Sequence, residues 1–228
     1  MRRFPITRLV LAVLLGTALG GCAPSAHSGA GHRGGGGAAA RHRFERAEEW
    51  APRFEDPLRD QWQRPDEVIA ALALKADARI ADIGAATGYF PVRLARALPA
   101  AKVWGVDVEP SMVEYLRKRA KDEALGNLEA VLGTPEDPKI AGPVDLVLLV
   151  DTYHHLDDRV TYFRRLAPVF AKGGRLAVID FRPDSKMGPE HKLAPEKVSE
   201  ELVKAGYALV QDHPFLPEQY FLVFEAVR

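Results

Sequence analysis

Cysteine is almost absent: Cys22 is the only one in 228 residues. A single thiol closes no intrachain disulfide, and chemistry that depends on a free thiolate is not expected. Net charge is absent too, since 31 Lys and Arg balance 31 Asp and Glu. Arg2, Arg3 and Arg8 fall in a segment read below as removable, which leaves the remainder slightly acidic. That balance argues against a broad phosphate-binding surface, and so against nucleic acid as a partner. Long apolar runs are also lacking. The stretch from Leu9 to Leu19 is too short to cross a bilayer, which takes about 20 residues.

The first 22 residues read MRRFPITRLVLAVLLGTALGGC, a basic start, an apolar run, small residues and then Cys22. This is the pattern of a signal peptide. Its LGGC end resembles a bacterial lipobox, so Cys22 is expected to carry lipid and to hold the chain at the cell envelope on the periplasmic side; the alternative is a cytoplasmic chain with a chance cysteine. Residues 23–43 are rich in Gly, Ala, Ser, His and Arg without apolar periodicity, as in a flexible tether. His27, His32 and His42 are irregularly spaced there and read as solvated linker.

Residues 44–228, with nearly half of the chain hydrophobic overall, are long enough for one domain around one core. Its first part, FERAEEWAPRFEDPLRDQWQRPDEVIAALALK, predicts one or two short helices and then a clear helix opened by Pro65, with Val68, Ile69 and Leu72 on one face. Trp50 and Trp62 are either core aromatics or part of a helical lid over a pocket. Beyond them, strands are expected at 79–83, 102–108, 128–132, 144–150, 175–181 and 207–210, and a last one in QYFLVFEAV. Helices are expected at 89–98, 110–124, 159–171 and 195–205. Strands as continuously apolar as VDLVLLV imply a parallel sheet covered by helices on both faces. The short QDHPFLPE loop makes the last two strands antiparallel neighbours. The fold class is α/β, a Rossmann-like, mostly parallel sheet of seven strands.

In such sheets a ligand lies beyond the carboxyl ends of the strands, where their order reverses. ADIGAATGYF, residues 81–90, ends the first strand and opens a helix there. Gly84 and Gly88 supply backbone freedom, and Ala85 and Ala86 leave the main chain accessible. The spacing is wrong for the Gly-x-Gly-x-x-Gly of dinucleotide sites. Asp82 would repel a phosphate and suit a cation, while Asp107, ending the next strand, is placed to accept ribose hydroxyls. A cationic, ribose-bearing ligand without phosphate is S-adenosylmethionine.

Residues 65–228 resemble the class I S-adenosylmethionine-dependent methyltransferases. DIGAATG follows the family's D/E-x-G-x-G-x-G except for Ala86; GVDVEPSMVEYL, VDLVLLVDTYHHLDD and LAPVFAKGGRLAVIDF follow its later segments in order. The resemblance implies that Asp82, Gly84, Ala85, Ala86 and Gly88 hold the amino-acid end of the cofactor, Asp107 its ribose, and Val108 and Met112 its adenine, with Asp151 also facing it. The adenine amino group would fall to Glu136 or Asp137, because Thr134 stands where the family often has an acid. For these acids, turn and cap chemistry is the alternative reading.

DTYHHLDD lies where the family faces the transferred methyl. His154 or His155 would act as base for an acceptor that carries a proton, and Tyr153 would orient it. A metal is not expected, because adjacent residues at a strand end point opposite ways. FRPDSKMGPEH, residues 181–191, is the expected acceptor-side loop. The reading is a methyltransferase for a small-molecule or lipid-like acceptor. The competing one is a lipoprotein that keeps the fold as a binding or scaffold module, and a nicotinamide oxidoreductase is third.

Overall fold

The computed structural model describes residues 44–227; the expected signal peptide, Cys22 and the tether lie outside them. Three short helices open the chain: α1 at Ala47–Phe54, α2 at Arg59–Gln63 and α3 at Pro65–Ala71. Then β1 (Arg79–Ile83), α4 (Tyr89–Ala97), β2 (Lys102–Asp107), α5 (Pro110–Asp122) and β3 (Leu128–Leu132) alternate. They are followed by β4 (Val144–Val150), α6 (Arg159–Leu166), β5 (Phe170–Phe181), α7 (Pro195–Lys204), β6 (Tyr207–Asp212) and β7 (Gln219–Ala226).

The strands form one sheet in the order β3-β2-β1-β4-β5-β7-β6. All neighbouring pairs are parallel except those of β7, which runs against both β5 and β6. This is the Rossmann-like arrangement expected from the sequence, with β1 beside β4 at the reversal of strand order.

The period of two along β4 sorts its side chains between two apolar layers. Leu146 and Leu148 pack with Val68 and Leu72 of α3, Leu94 of α4 and Leu116 of α5. Val147 and Leu149 pack with Phe163 and Leu166 of α6 and Val198 and Leu202 of α7. Helix α5 joins the first layer because Val113, Leu116 and Ala120 recur at helical spacing behind Pro110 at its first turn.

Two boundaries differ from expectation. Helix α6 stops at Leu166 because Pro168 lacks a backbone donor; residues 167–169 tighten into a 3-10 turn, and Phe170 already begins β5. Strand β2 ends at Asp107, which leaves Val108 outside the ladder and 48% exposed. Among the described residues, no helix is long and apolar enough to cross a membrane.

Candidate active site

Between β1 and α4 the chain makes a turn that only a bare backbone adopts easily. Gly84, Ala86 and Gly88 have φ of 79°, 46° and 101°. The N–H groups of Gly84 and Ala85 both donate to the Val106 carbonyl, at 2.8 and 3.0 Å. Ala86 N donates to Asp107 Oδ2 at 2.8 Å, and Glu109 N to Asp107 Oδ1 at 3.0 Å. Asp107 therefore knits the turn to the end of β2, and each oxygen keeps lone-pair capacity for a further donor. Burial raises its pKa above the usual carboxylate range while the backbone donors pull it down.

The glycines serve the protein's own packing as well as any ligand. A Cβ on Gly84 would lie 2.2 Å from Thr152 Oγ1, and one on Gly88 would lie 2.4 Å from Leu116 Cδ1. Gly84 lets the end of β4 approach the turn; Gly88 lets α5 approach α4.

Asp82, on β1, is 3% exposed, and no hydrogen bond or ion pair among the described residues reaches its carboxylate. Burial pushes it up to about 7 against the pull of Arg59. Asp151, after β4, is driven to about 7 by the same cause, again opposed by Arg59. Its backbone is left-handed, with φ of 54°.

A closed polar ring surrounds that second carboxylate. Arg59 NH2 is 3.5 Å from Asp151 Oδ2, and Arg59 Nε donates to Gln63 Oε1 at 2.6 Å. Gln63 Nε2 donates to Gln219 Oε1 at 2.6 Å, and Gln219 Nε2 donates to Asp151 Oδ1 at 2.5 Å. The Arg59 guanidinium also stacks 3.9 Å over the Tyr89 ring, whose other cationic neighbour is Arg93 at 3.9 Å. The ring fastens α2 to the ends of β4 and β7.

Helices α1 and α2 thus lie over the strand ends, as the lid reading expected. Glu55 accepts from Thr87 Oγ1 at 2.7 Å and pairs with Arg119 at 2.8 Å. Ser111 Oγ donates to the Phe44 carbonyl at 3.2 Å. Trp50 stacks on Phe54, and Trp62 packs on Phe181, with ring centroids 5.8 and 5.5 Å apart. The tryptophans serve both readings, as aromatic packing within the cover.

Residues 153–155 form a 3-10 turn instead of a strand end. The rings of His154 and His155 are consequently 4.1 Å apart, not turned to opposite sides. Among the described residues no group of three or more His, Cys, Asp or Glu could hold a metal ion. His154 Nδ1 is 2.8 Å from Asp180 Oδ2 and 2.9 Å from Oδ1. A carboxylate only accepts, so Nδ1 carries the proton and Nε2 is left as a base.

Tyr153 departs from expectation. It is fully buried, stacks on Phe163 and donates to Glu201 Oε2 at 3.1 Å; Glu201 also holds Arg159 at 2.6 Å. Its hydroxyl belongs to the layer under α6 and α7, so it does not orient an acceptor.

At the expected adenine side, Val108 and Leu132 are exposed apolar residues just beyond β2 and at the end of β3. Met112 is 1% exposed and lies in the interior. Glu136 is exposed in a turn closed by Thr134 and Asp137, and Asp137 is taken by Lys139 at 2.7 Å. A groove of about 540 Å³ lined by Pro110, Val113, Arg117 and Leu132 follows α5 outside this region. Residues 181–191 fold back: a Cβ on Gly188 would strike the Phe181 ring at 2.4 Å, and Ser185 Oγ donates to Glu218 at 2.7 Å.

Arg59, Gln63, Asp180 and Gln219 escaped the sequence reading. Asp180 alone left a signal, an acid closing the apolar run of β5. The other three depend on long-range contacts.

Strand order, one reversed strand, a glycine turn at the switch point and an acid at the end of β2 define the Rossmann-like fold of the methyltransferases. Residues 80–174 match the family described as a methyltransferase domain. A trans-aconitate 2-methyltransferase of Methylobacterium radiotolerans is 32% identical over 146 residues, 64% of this chain and 54% of that protein. An uncharacterized methyltransferase of Mycobacterium tuberculosis is 31% identical over 160 residues, 70% of this chain and 60% of that protein. The chain spans little more than half the length of these curated relatives. Among solved structures, a SAM-dependent methyltransferase from Aquifex aeolicus aligns with a TM-score of 0.66 and 22% identity, covering 77% of this chain and 96% of that one. Magnesium protoporphyrin IX methyltransferase from Synechocystis, with bound SAH, aligns at 0.64 and 18% identity, covering 82% and 97%.

Proposed function

We propose that the chain transfers a methyl group from S-adenosylmethionine to an oxygen of a small or lipid-like molecule. The observation that carries the reading is Asp82: a buried carboxylate without a bonded partner, beside a glycine turn, where a cation is the fitting occupant. The neighbouring groups fit the rest of the cofactor. Asp107 retains acceptor capacity for ribose hydroxyls, Arg59 offers a guanidinium to a carboxylate, and Val108 with Leu132 offers apolar surface to a base. Gly84, Ala85, Ala86 and Gly88 present the main chain to the amino-acid end.

When bound, the cofactor supplies an already activated methyl, so the protein's share is largely positioning. Asp180 fixes the ring of His154, and His154 Nε2 takes the proton of an accepting hydroxyl as the oxygen attacks. Helices α1 and α2 keep water from the strand ends. Oxygen as the accepting atom is supported by a relative named malonyl-[acyl-carrier protein] O-methyltransferase, 26% identical over 107 residues.

Attachment at the envelope through lipidated Cys22 is part of the proposal, and it is supported by the signal-like sequence. Cys22→Ser is expected to abolish lipid labelling and membrane fractionation; a wild-type chain found soluble in the cytoplasm would overturn that part.

The test of the activity is incubation of the chain with methyl-labelled cofactor and small-molecule extracts. Label transfer that His154→Ala abolishes supports the reading. Cofactor binding without transfer across a broad panel of hydroxyl, phenol and carboxyl acceptors favours a binding or scaffold module.

A further inference from the structure

The cover places one guanidinium among more than one buried carboxylate. Asp82 on β1 and Asp151 beyond β4 belong to adjacent strands, paired in register through Asp82 and Leu148. Arg59 acts on both and fully neutralises neither. Its closest approach to Asp151 is 3.5 Å, while its other donors go to Gln63 and to the Phe54 carbonyl at 3.0 Å.

The remaining neighbours supply no further cation. Facing Asp82 from β2 is Asp107, whose oxygens hold two backbone amides. Facing Asp151 are Asp180 from β5, His154 from the turn after β4, and the neutral Gln219 from β7. His154 is already engaged by Asp180 at 2.8 Å. Asp82 and Asp151 together thus carry one negative charge more than the protein matches. The buried, unbonded Asp82 carboxylate marks where a ligand would supply the missing cation.

We infer that this site tells S-adenosylmethionine from its demethylated product S-adenosylhomocysteine by charge, with Asp82 and Asp151 as the discriminating pair. The inference rests on the cofactor reading above. With its ammonium, carboxylate and sulfonium the methyl donor has a net charge of about +1 at neutral pH, whereas the product, a thioether, is neutral overall. Transfer of the methyl moves the sulfur's bonding pair back onto sulfur and removes its charge, leaving the carboxylate pair under-compensated. Product release is thereby favoured, and Arg59 is left as the only cation between the two acids.

The sign of the pH effect follows from the same pair. Burial holds Asp82 and Asp151 at about 7, so both are largely ionised at pH 7.5 and largely protonated at pH 5.5. Protons compete with the cationic donor and hardly with the neutral product. Donor affinity therefore rises across that interval, and product affinity stays level.

Calorimetric titration of the full chain with each compound at both pH values tests this. Donor affinity is expected to exceed product affinity about tenfold at pH 7.5, with the ratio shrinking toward one at pH 5.5. Asp151→Asn, which keeps an oxygen to accept from Gln219, is expected to lower the ratio at pH 7.5 while thermal unfolding confirms that it folds. Asp82→Asn serves as the second variant and is expected to act in the same direction. Equal affinities at pH 7.5, or a tighter product at both pH values, overturn the inference and leave the cofactor reading standing. If neither compound binds, the cofactor reading itself fails.

Discussion

His154 Nδ1 points at the Asp180 carboxylate from 2.8 Å, and the backbone N–H of the same histidine reaches that carboxylate at 3.3 Å. The Phe181 N–H adds a third bond, at 2.8 Å. A carboxylate held by three donors has little rotational freedom and fixes the imidazole as it fixes itself. His154→Gln is expected to lower the turnover rate about 100-fold or more with cofactor affinity unchanged, measured by steady-state transfer and by titration. Asp180→Asn should lower turnover in the same direction by leaving the ring unoriented.

Tyr153 stands next to that histidine in sequence and apart from it in role. Its hydroxyl serves Glu201 and Arg159 under α6, so Tyr153→Phe is expected to leave methyl transfer unchanged. The cost should appear in denaturant unfolding, at about 1 kcal/mol for the lost hydrogen bond.

Gly84 is required twice over, by its φ of 79° and by Thr152 in the space of its missing side chain. Gly84→Ala is expected to cost about 2 kcal/mol or more of unfolding free energy. Adding Thr152→Ala should recover part of that loss, since it relieves the contact but not the backbone strain; a double-mutant cycle reads the coupling.

Ala86 holds a left-handed conformation, with φ of 46°, at a position where glycine is unstrained. Ala86→Gly is expected to be neutral or to stabilise by up to about 1 kcal/mol, relief of strain being offset by the greater freedom of glycine in the unfolded chain. Ala86→Val should destabilise. Thermal unfolding orders the three proteins.

The buried acids also set how the ligand-free chain responds to pH. Asp82 and Asp151 sit at about 7 in the fold, above the ordinary value of 3.8. In the interval between those values the native state binds more protons than the unfolded one, so these two groups make stability fall as pH rises from about 4 to about 7. Asp82→Asn and Asp151→Asn should each flatten that decline in unfolding curves collected across the interval.

The architecture was legible because it is written in local pattern. Runs such as VDLVLLV and the helical spacing of Val113, Leu116 and Ala120 name their own elements, and the glycine turn marks the switch point. Errors arose where a neighbour decides. Pro168 cut α6 short, and a 3-10 turn at Tyr153–His155 brought two histidine rings together that strand geometry would separate. The ring of Arg59, Gln63, Gln219 and Asp151 joins a helix before the sheet to its last strand. No periodicity in the sequence announces a contact of that range.

The central claim is that the glycine turn, with Asp82 and Asp107, receives S-adenosylmethionine. Titration of the full chain and of Asp107→Ala with that compound and with a nicotinamide dinucleotide tests it most directly. Saturable one-to-one binding of S-adenosylmethionine is expected, with no heat from the dinucleotide and a loss of about 1 to 3 kcal/mol in the variant. A chain that ignores S-adenosylmethionine, or a variant that binds it as tightly as the wild type, would contradict the assignment.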